Sequence, residues 1–519
     1  MLPMKRSSFL RNPASRSYDV VLWLVFLFLC IQWVLALPRM PIFNYDEAFM
    51  VEPAWHLATS GKPASTLVAS FAQHSPYGMN YPLFSTLLAA WITVFGFDLL
   101  SVRLFPFFLT CAAGLVSILA LNRMKLISGT RQALLLLILW MLTYPAFYAS
   151  HHARPESLTI FVFSLIILTA TFRTSPGNLA ALTALSALIP YCGLHMTIPA
   201  VIALSIAYLF KYCGRRQVAS IAGGILLGGA SFYFLYQWTG AWVSYHENIK
   251  LVGGLSILDR LKNFFSYGEY SYAFIQSHLF VLLPVVLLAV VLGANKGTPF
   301  AQLVLSVSAY CVVTMVCMRF VGNFYVWYAH YNFLVLLPLI VVYAVFIFGG
   351  APAPKVYRWA FLVLLVLLLL RNNLAHSLSY SHLAAWTLTD HKAVSGRLAL
   401  SGAGPQDVVL GTEAAYMALR PKVGSFYSLF HVSTTYEAED SLENVLPRDL
   451  ARSVTMIVTD LSERQQKLVG ILKDWSGGEW IEVPIPKQEI PALPHPFAFV
   501  PAGGKFFNAN NFRVYRRLD

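Results

Sequence analysis

Apolar residues run unbroken through most of this chain. From Val20 to Leu370 they gather in stretches near the length a helix needs to cross a bilayer, about 20 residues. Lipid offers no partner to a backbone N–H or C=O, so only helices or closed barrels cross it. A barrel strand alternates apolar and polar positions. These stretches are continuously apolar, so they predict helices. The predicted spans are 19–37, 98–121, 132–149, 156–172, 178–192, 195–211, 217–236, 272–293, 299–317, 331–349 and 357–371. A further apolar segment, Tyr81 to Gly96, is predicted to lie along the outer surface with one face buried.

Basic residues decide that last assignment. Lys5, Arg6, Arg11 and Arg16 precede the first span. Arg123, Lys125 and Arg131 share one loop, and Lys211, Arg215 and Arg216 share another. Lys296, Lys355 and Arg358 sit in further short loops, with hardly any acids beside them. If 81–96 crossed, the loop at 123–131 would fall outside. As a surface helix, 81–96 leaves every basic loop inside, as the positive-inside rule asks. The amino terminus is then cytoplasmic. The outer segments are 38–97, 150–155, 237–271 and 318–330, followed by everything beyond Arg371.

Past Arg371 the pattern changes to ordinary polar composition. Residues 1–371 are therefore read as a membrane domain, and 372–519 as a soluble α/β domain on the outer face. Strands are predicted at Asp407–Gly411, Val454–Thr459, Trp480–Val483 and Phe512–Tyr515, with helices at Glu413–Leu419 and Leu461–Trp475. No Gly-rich phosphate loop or metal-ligand spacing occurs there, which points to packing or acceptor docking.

Composition agrees. The chain is 57% hydrophobic and 12% charged, against about 25% charged in soluble proteins. Its net charge of +13 follows the loops and is not the footprint of a nucleic-acid protein. All six cysteines lie in or beside the spans, so no disulfide framework is expected. Cys192 and Cys317 fall near outer ends, where pairing is open but free thiols are expected. No Asn-x-Ser/Thr acceptor occurs, which favours a bacterial inner membrane facing the periplasm. The first apolar run is too long for a signal-peptide core and lacks a small-residue cleavage site, so it reads as a retained anchor.

Four constellations on the outer side carry candidate chemistry. Asn44-Tyr45-Asp46-Glu47 follows the first span. Asn44 and Glu47 fit a capping box, and Asp46 fits the helix dipole. The functional alternative is a general base for an acceptor hydroxyl. His151-His152-Ala153-Arg154-Pro155-Glu156 fits a helix start with Pro155 at its first position. Two His, an Arg and a Glu within six residues are costly at a membrane boundary unless they work. His74 opens the third group, ahead of Asn80-Tyr81-Pro82-Leu83, and is either solvated, a metal ligand or a phosphate contact. The fourth runs from Arg319 through Trp327, Tyr328, His330 and Tyr331. Its aromatics suit an interfacial belt, whereas Arg319 and His330 suit a leaving phosphate.

These residues, in this order, resemble the GT-C class of membrane glycosyltransferases. The branch is similar to the protein O-mannosyltransferases and lipid A aminoarabinose transferases. The resemblance rests on the acid pair Asp46-Glu47, the surface helix opening Tyr81-Pro82-Leu83, the span start Ala153 to Glu156, and Tyr328-x-His330-Tyr331 leading to Leu337-Pro338. It covers 1–371. It implies a polyprenyl-phosphate-linked sugar donor and inverting transfer to an acceptor hydroxyl or amine on the outer face. Asp46 is then the base, with Glu47 and Glu156 as supporting acids. Arg154, His330 and Arg103 are then donor-phosphate contacts, among a wider substrate-binding set of His151, His152, His74, Tyr81, Arg319, Tyr328 and Tyr331. The acceptor is a lipid, protein or polysaccharide. A divalent metal is left open, with Asp46, Glu156 and His74 as candidate ligands. Where aminoarabinose transferases carry Glu-Lys-Pro-Pro, this chain has Met79-Asn80-Tyr81-Pro82, which argues against a lipid A acceptor. The alternatives are an oligosaccharyl or polymer transferase using a lipid-pyrophosphate donor and, from another class, a transporter or lipid flippase. A transporter predicts midplane charges and inverted repeats, and neither is evident in the sequence.

Overall fold

The structure is a computed structural model. It describes residues 15–38, 45–67, 80–127, 129–246 except 244, 299–322, 391–433, 442–459, 463–487 and 512–518, with scattered positions between 256 and 363. Its helices follow the apolar runs: α1 (Ser15–Ala36), α2 (Tyr45–Ser60), α3 (Pro82–Phe95), α4 (Leu99–Arg123), α5 (Thr130–Met141), α6 (Tyr144–His151), α7 (Glu156–Ala170), α8 (Pro176–Ala187), α9 (Thr197–Leu209), α10 (Arg215–Trp238) and α11 (Pro299–Gly322). Three of them, α1, α4 and α10, are long and apolar enough to cross a membrane. The predicted runs at 272–293 and 357–371, and most of 331–349, lie outside the described residues.

The predicted span 132–149 is broken. α5 and α6 meet at 70°. Pro145 in the first turn of α6 cannot continue the ladder of α5, and Thr143 caps α6 by accepting from the Ala146 amide at 3.3 Å. The run 178–192 ends early for a similar reason: α8 stops at Ala187, and Pro190–Cys192 forms a separate 3-10 turn. α3 has 14 residues and rises about 21 Å, too short for a hydrocarbon core of about 30 Å. It buries Phe84, Leu88 and Ile92 along one stripe and packs on α2 and α4. Cys30, Cys111, Cys192, Cys213, Cys311 and Cys317 are free thiols.

Helix packing defines two ends of the bundle. α4 lies against α6 and α7, and α1 against α5. At one end Arg131, at the start of α5, forks onto Asp19 of α1, with one bond at 2.7 Å. There too Arg123, closing α4, stacks over Phe172. The opposite end gathers the close of α1, the starts of α2, α4 and α7, and the close of α6.

α10 backs onto α8 through Gly224 and Gly228, one turn apart. A Cβ at Gly224 would stand 2.3 Å from the Thr183 carbonyl oxygen, and one at Gly228 would stand 2.3 Å from that of Ala187. Small residues at this spacing let helix backbones touch. Gly228→Leu is therefore expected to separate the helices and cost about 1–3 kcal/mol, read as a lower unfolding midpoint in detergent. Gly229→Leu, with open space around the new Cβ, is the neutral control.

Residues 391–518 carry a five-stranded sheet: β1 (Val408–Gly411), β2 (Ser425–Ser428), β3 (Met456–Thr459), β4 (Trp480–Val483) and β5 (Arg513–Arg517), in the order β2-β1-β3-β5-β4. β1 is parallel to β2 and β3, and β5 is antiparallel to β3 and β4. The helix Glu463–Ser476 covers one face through Leu468, Val469 and Leu472. β2 was not expected from the sequence: Ser-Phe-Tyr-Ser is four residues with no apolar alternation, and its strand character comes from pairing beside β1.

His431, just after β2, is pushed down to about 4 by burial. The unfolded chain, with an ordinary value near 6.5, binds a proton that the folded state excludes. Folding stability is therefore expected to fall as pH drops from about 6.5 to 4, by at most about 3 kcal/mol. His431→Gln should flatten that slope in pH-dependent thermal unfolding.

Candidate active site

Asp46 and Glu47 open α2, where the dipole favours carboxylates. Adjacent helical positions point about 100° apart, and the two acids separate accordingly. Glu47 turns into the bundle and is fully buried. It accepts from Arg103 Nε at 3.0 Å and Nη2 at 2.6 Å, and from the Ala153 amide at 2.9 Å. Arg103, expected at a donor phosphate, is itself fully buried, and its Nη1 donates to the Leu37 carbonyl at 3.0 Å. One ion pair thus ties the end of α1, the start of α2, α4 and the loop before α7. The proposed cap partner of Glu47, Asn44, lies outside the described residues.

Asp46 turns outward, with 48% of its side chain exposed. Its Oδ2 lies 2.7 Å from Arg154 Nη1. Arg154 is buried and is held from the other side by Glu156, through Nε and Nη2 at 3.2–3.3 Å. Burial alone would lower the Arg154 pKa; Glu156 and Asp46 outweigh it and keep the guanidinium charged, well above its ordinary value. Glu156 is the first residue of α7, and Pro155 immediately precedes the helix, one position from where its spacing suggested.

The two histidines differ. His151 Nε2 bonds the Trp33 carbonyl of α1 at 2.8 Å, and its Nδ1 lies 2.7 Å from Ser150 Oγ and 2.9 Å from the Phe147 carbonyl. Both ring nitrogens therefore serve the joint between α1 and α6. His152 stacks on Tyr148 at 3.7 Å. Burial first, then the charges of Arg103 and Arg154, push it well below its ordinary value, so it is neutral.

Tyr81 precedes α3, with Pro82 at the first helical position, and packs edge-on against His195 at 5.9 Å. Gly193 permits that approach: its φ is +133°, and a Cβ there would lie 2.8 Å from Tyr81 Cε1. His195 is close enough to Arg154 to feel its charge. The sequence offered one hint of it, a polar residue at the very start of an apolar run.

Arg319 falls in the last turn of α11. His74, Tyr328, His330 and Tyr331 lie outside the described residues. Among the described residues no group of three His, Cys, Asp or Glu side chains converges as metal ligands. Asp46 and Glu156 are bridged by the Arg154 guanidinium, which repels a cation rather than holding one.

No protein-family model matches the chain, and no curated protein does either. Solved structures do. ArnT from Cupriavidus metallidurans bound to undecaprenyl phosphate superposes with a TM-score of 0.53 at 15% identity, covering 88% of this chain and 95% of that one. The same protein in the apo state gives 0.52 at 14%, with the same coverage. At such identity the likeness is one of fold. The chain thus shares the fold of ArnT, and its helices α1, α4 and α10 are long and apolar enough to cross a membrane.

Proposed function

We propose that this protein transfers a sugar from a polyprenyl-phosphate-linked donor to an acceptor hydroxyl or amine on the outer face of a bacterial inner membrane. The observation that carries this reading is the Asp46–Arg154–Glu156 triad: one exposed carboxylate, oriented by a buried guanidinium that a second, buried carboxylate holds. It sits at the end of a bundle with the fold of a protein crystallised with undecaprenyl phosphate.

In the proposed displacement, Asp46 takes the acceptor proton as the acceptor oxygen or nitrogen bonds to C1 of the donor sugar. The C1–O bond to phosphate breaks, and the polyprenyl phosphate leaves with the electron pair. Arg154, with His330 as a second candidate, meets the charge on that phosphate. Glu156 keeps Arg154 in place, and the Glu47–Arg103 pair keeps α2 in place. Tyr81 and His152 are candidate substrate contacts, and the spans hold the polyprenyl tail. The soluble domain, 372–519, lies on the same outer side.

The test is mass spectrometry of cell-envelope glycans from wild type, a deletion strain and Asp46→Asn at matched expression. Loss of one sugar in both the deletion and Asp46→Asn supports the reading, and the attachment point names the acceptor class. A deletion phenotype that Asp46→Asn lacks overturns the base assignment and favours a transporter.

A further inference from the structure

α2 carries a third acid, Glu52, which is also fully buried. Its carboxylate accepts from Ser65 Oγ at 2.6 Å, from the Thr66 and Leu67 amides at 3.1 Å each, and from Thr66 Oγ1 at 2.9 Å. His56 Nε2, one turn on in α2, lies 3.8 Å from the same carboxylate, and a further neighbour comes from the far end of the chain. Arg420, between β1 and β2, places Nε 3.4 Å from Glu52 Oε1. The guanidinium carbon lies over the Trp55 ring, 4.1 Å from its centroid, and the group meets His56 Nε2 at 3.1 Å and donates to the Val423 carbonyl at 3.3 Å. Beside it, the Thr66 hydroxyl, whose single proton is shared between the Glu52 carboxylate and the Phe426 carbonyl, lies 3.0 Å from the latter, and the Ser428 amide donates to the Leu67 carbonyl at 2.9 Å.

α2 needs such a hold. Pro53 sits inside the helix and contributes no N–H to its ladder, so the helix is weakened midway. Glu47 ties the first turn of the helix to Arg103, and Glu52, the residue just before Pro53, ties the weakened turn to Arg420. Asp46 stands about 9 Å along the axis from Glu52. Its carboxylate direction depends on the rotation and tilt of the whole helix.

We propose that Arg420 is a positioning residue for the transfer reaction: through Glu52 the C-terminal domain fixes the orientation of α2, and thereby the aim of Asp46. This rests on the glycosyltransferase reading above. The domain then does more than dock an acceptor, because a membrane part without it would keep its acids and lose their alignment.

The test uses the full-length protein in nanodiscs. Arg420→Met strands a buried carboxylate, which by itself destabilises the fold, so Glu52→Gln/Arg420→Met, which removes both charges, is the principal variant, and Arg420→Lys is the conservative one. Three quantities are read: amide hydrogen exchange across 45–60, affinity for undecaprenyl phosphate, and sugar transferred per folded molecule in the envelope assay. The double variant is expected to exchange at least tenfold faster over 45–60 with 99–123 unchanged. Transfer should fall at least tenfold while undecaprenyl phosphate affinity stays within threefold, and Arg420→Lys should recover part of the loss. Wild-type transfer by the double variant, or faster exchange confined to 391–518, overturns the proposal. Failure of the glycosyltransferase reading is seen separately, as a wild-type protein that transfers no sugar while the double variant still exchanges faster over 45–60.

Discussion

Asp46→Asn is expected to reduce sugar transfer by about 10²–10⁴-fold, the range that a general base supplies, while leaving the fold intact. The stability side follows from exposure. Half of the side chain faces solvent, so water screens its pair with the buried Arg154, and the guanidinium keeps Glu156 as a second partner. The amide keeps a carbonyl oxygen for Arg154 and loses only the site that takes a proton. Glu156 still holds the guanidinium, so the positive charge does not drift from the site. The measurement pairs transferred sugar with a thermal unfolding curve on the same preparation. Transfer within tenfold of wild type, at normal expression, would remove Asp46 from the chemistry and leave it as a surface partner of Arg154.

Glu47, one residue further, is expected to behave oppositely. Removing one partner of a fully buried ion pair leaves the other charge without compensation and costs about 3–5 kcal/mol. Arg103→Met and Glu47→Gln should each depress the unfolding midpoint and the yield of folded protein, because the pair joins α1, α2, α4 and the loop before α7. Glu47→Gln/Arg103→Met should be less damaged than the sum of the single variants, since neither charge is then stranded. Single variants that unfold like wild type would mean that this junction is held by apolar packing alone. Adjacent acids thus separate into one that affects rate and one that affects folding, and purified-protein stability tells them apart before any donor is identified.

Much of the membrane part was legible because spanning is such a strong constraint: an apolar run of the right length has few other uses. The break between α5 and α6 was less legible, since Pro145 also fits one continuous bent helix, and Thr143 reveals itself as a cap only once Ala146 is seen to bond it. In the site, the cluster from His151 to Glu156 announced itself by its cost at a membrane boundary. Its internal roles did not. Nothing in the order of Asp46 and Glu47 says which one turns inward, because that depends on where Arg103 arrives from α4. Arg103 itself stood out as a charge in a span, and the pairing rule for such charges pointed to an acid more directly than to a ligand. Glu52 and Arg420 were out of reach: they are joined only by the fold, from opposite ends of the sequence.

The seam at Thr66 and Leu67 has a consequence for β2. That strand is last in the sheet, and an uncovered last strand offers its outward amides and carbonyls to any passing chain. Here the Phe426 carbonyl and the Ser428 amide are already taken by the loop after α2. The membrane part therefore acts as a chaperoning cover for the sheet. A fragment cut free at 391 would bare that edge, and self-association through β2 is its natural fate.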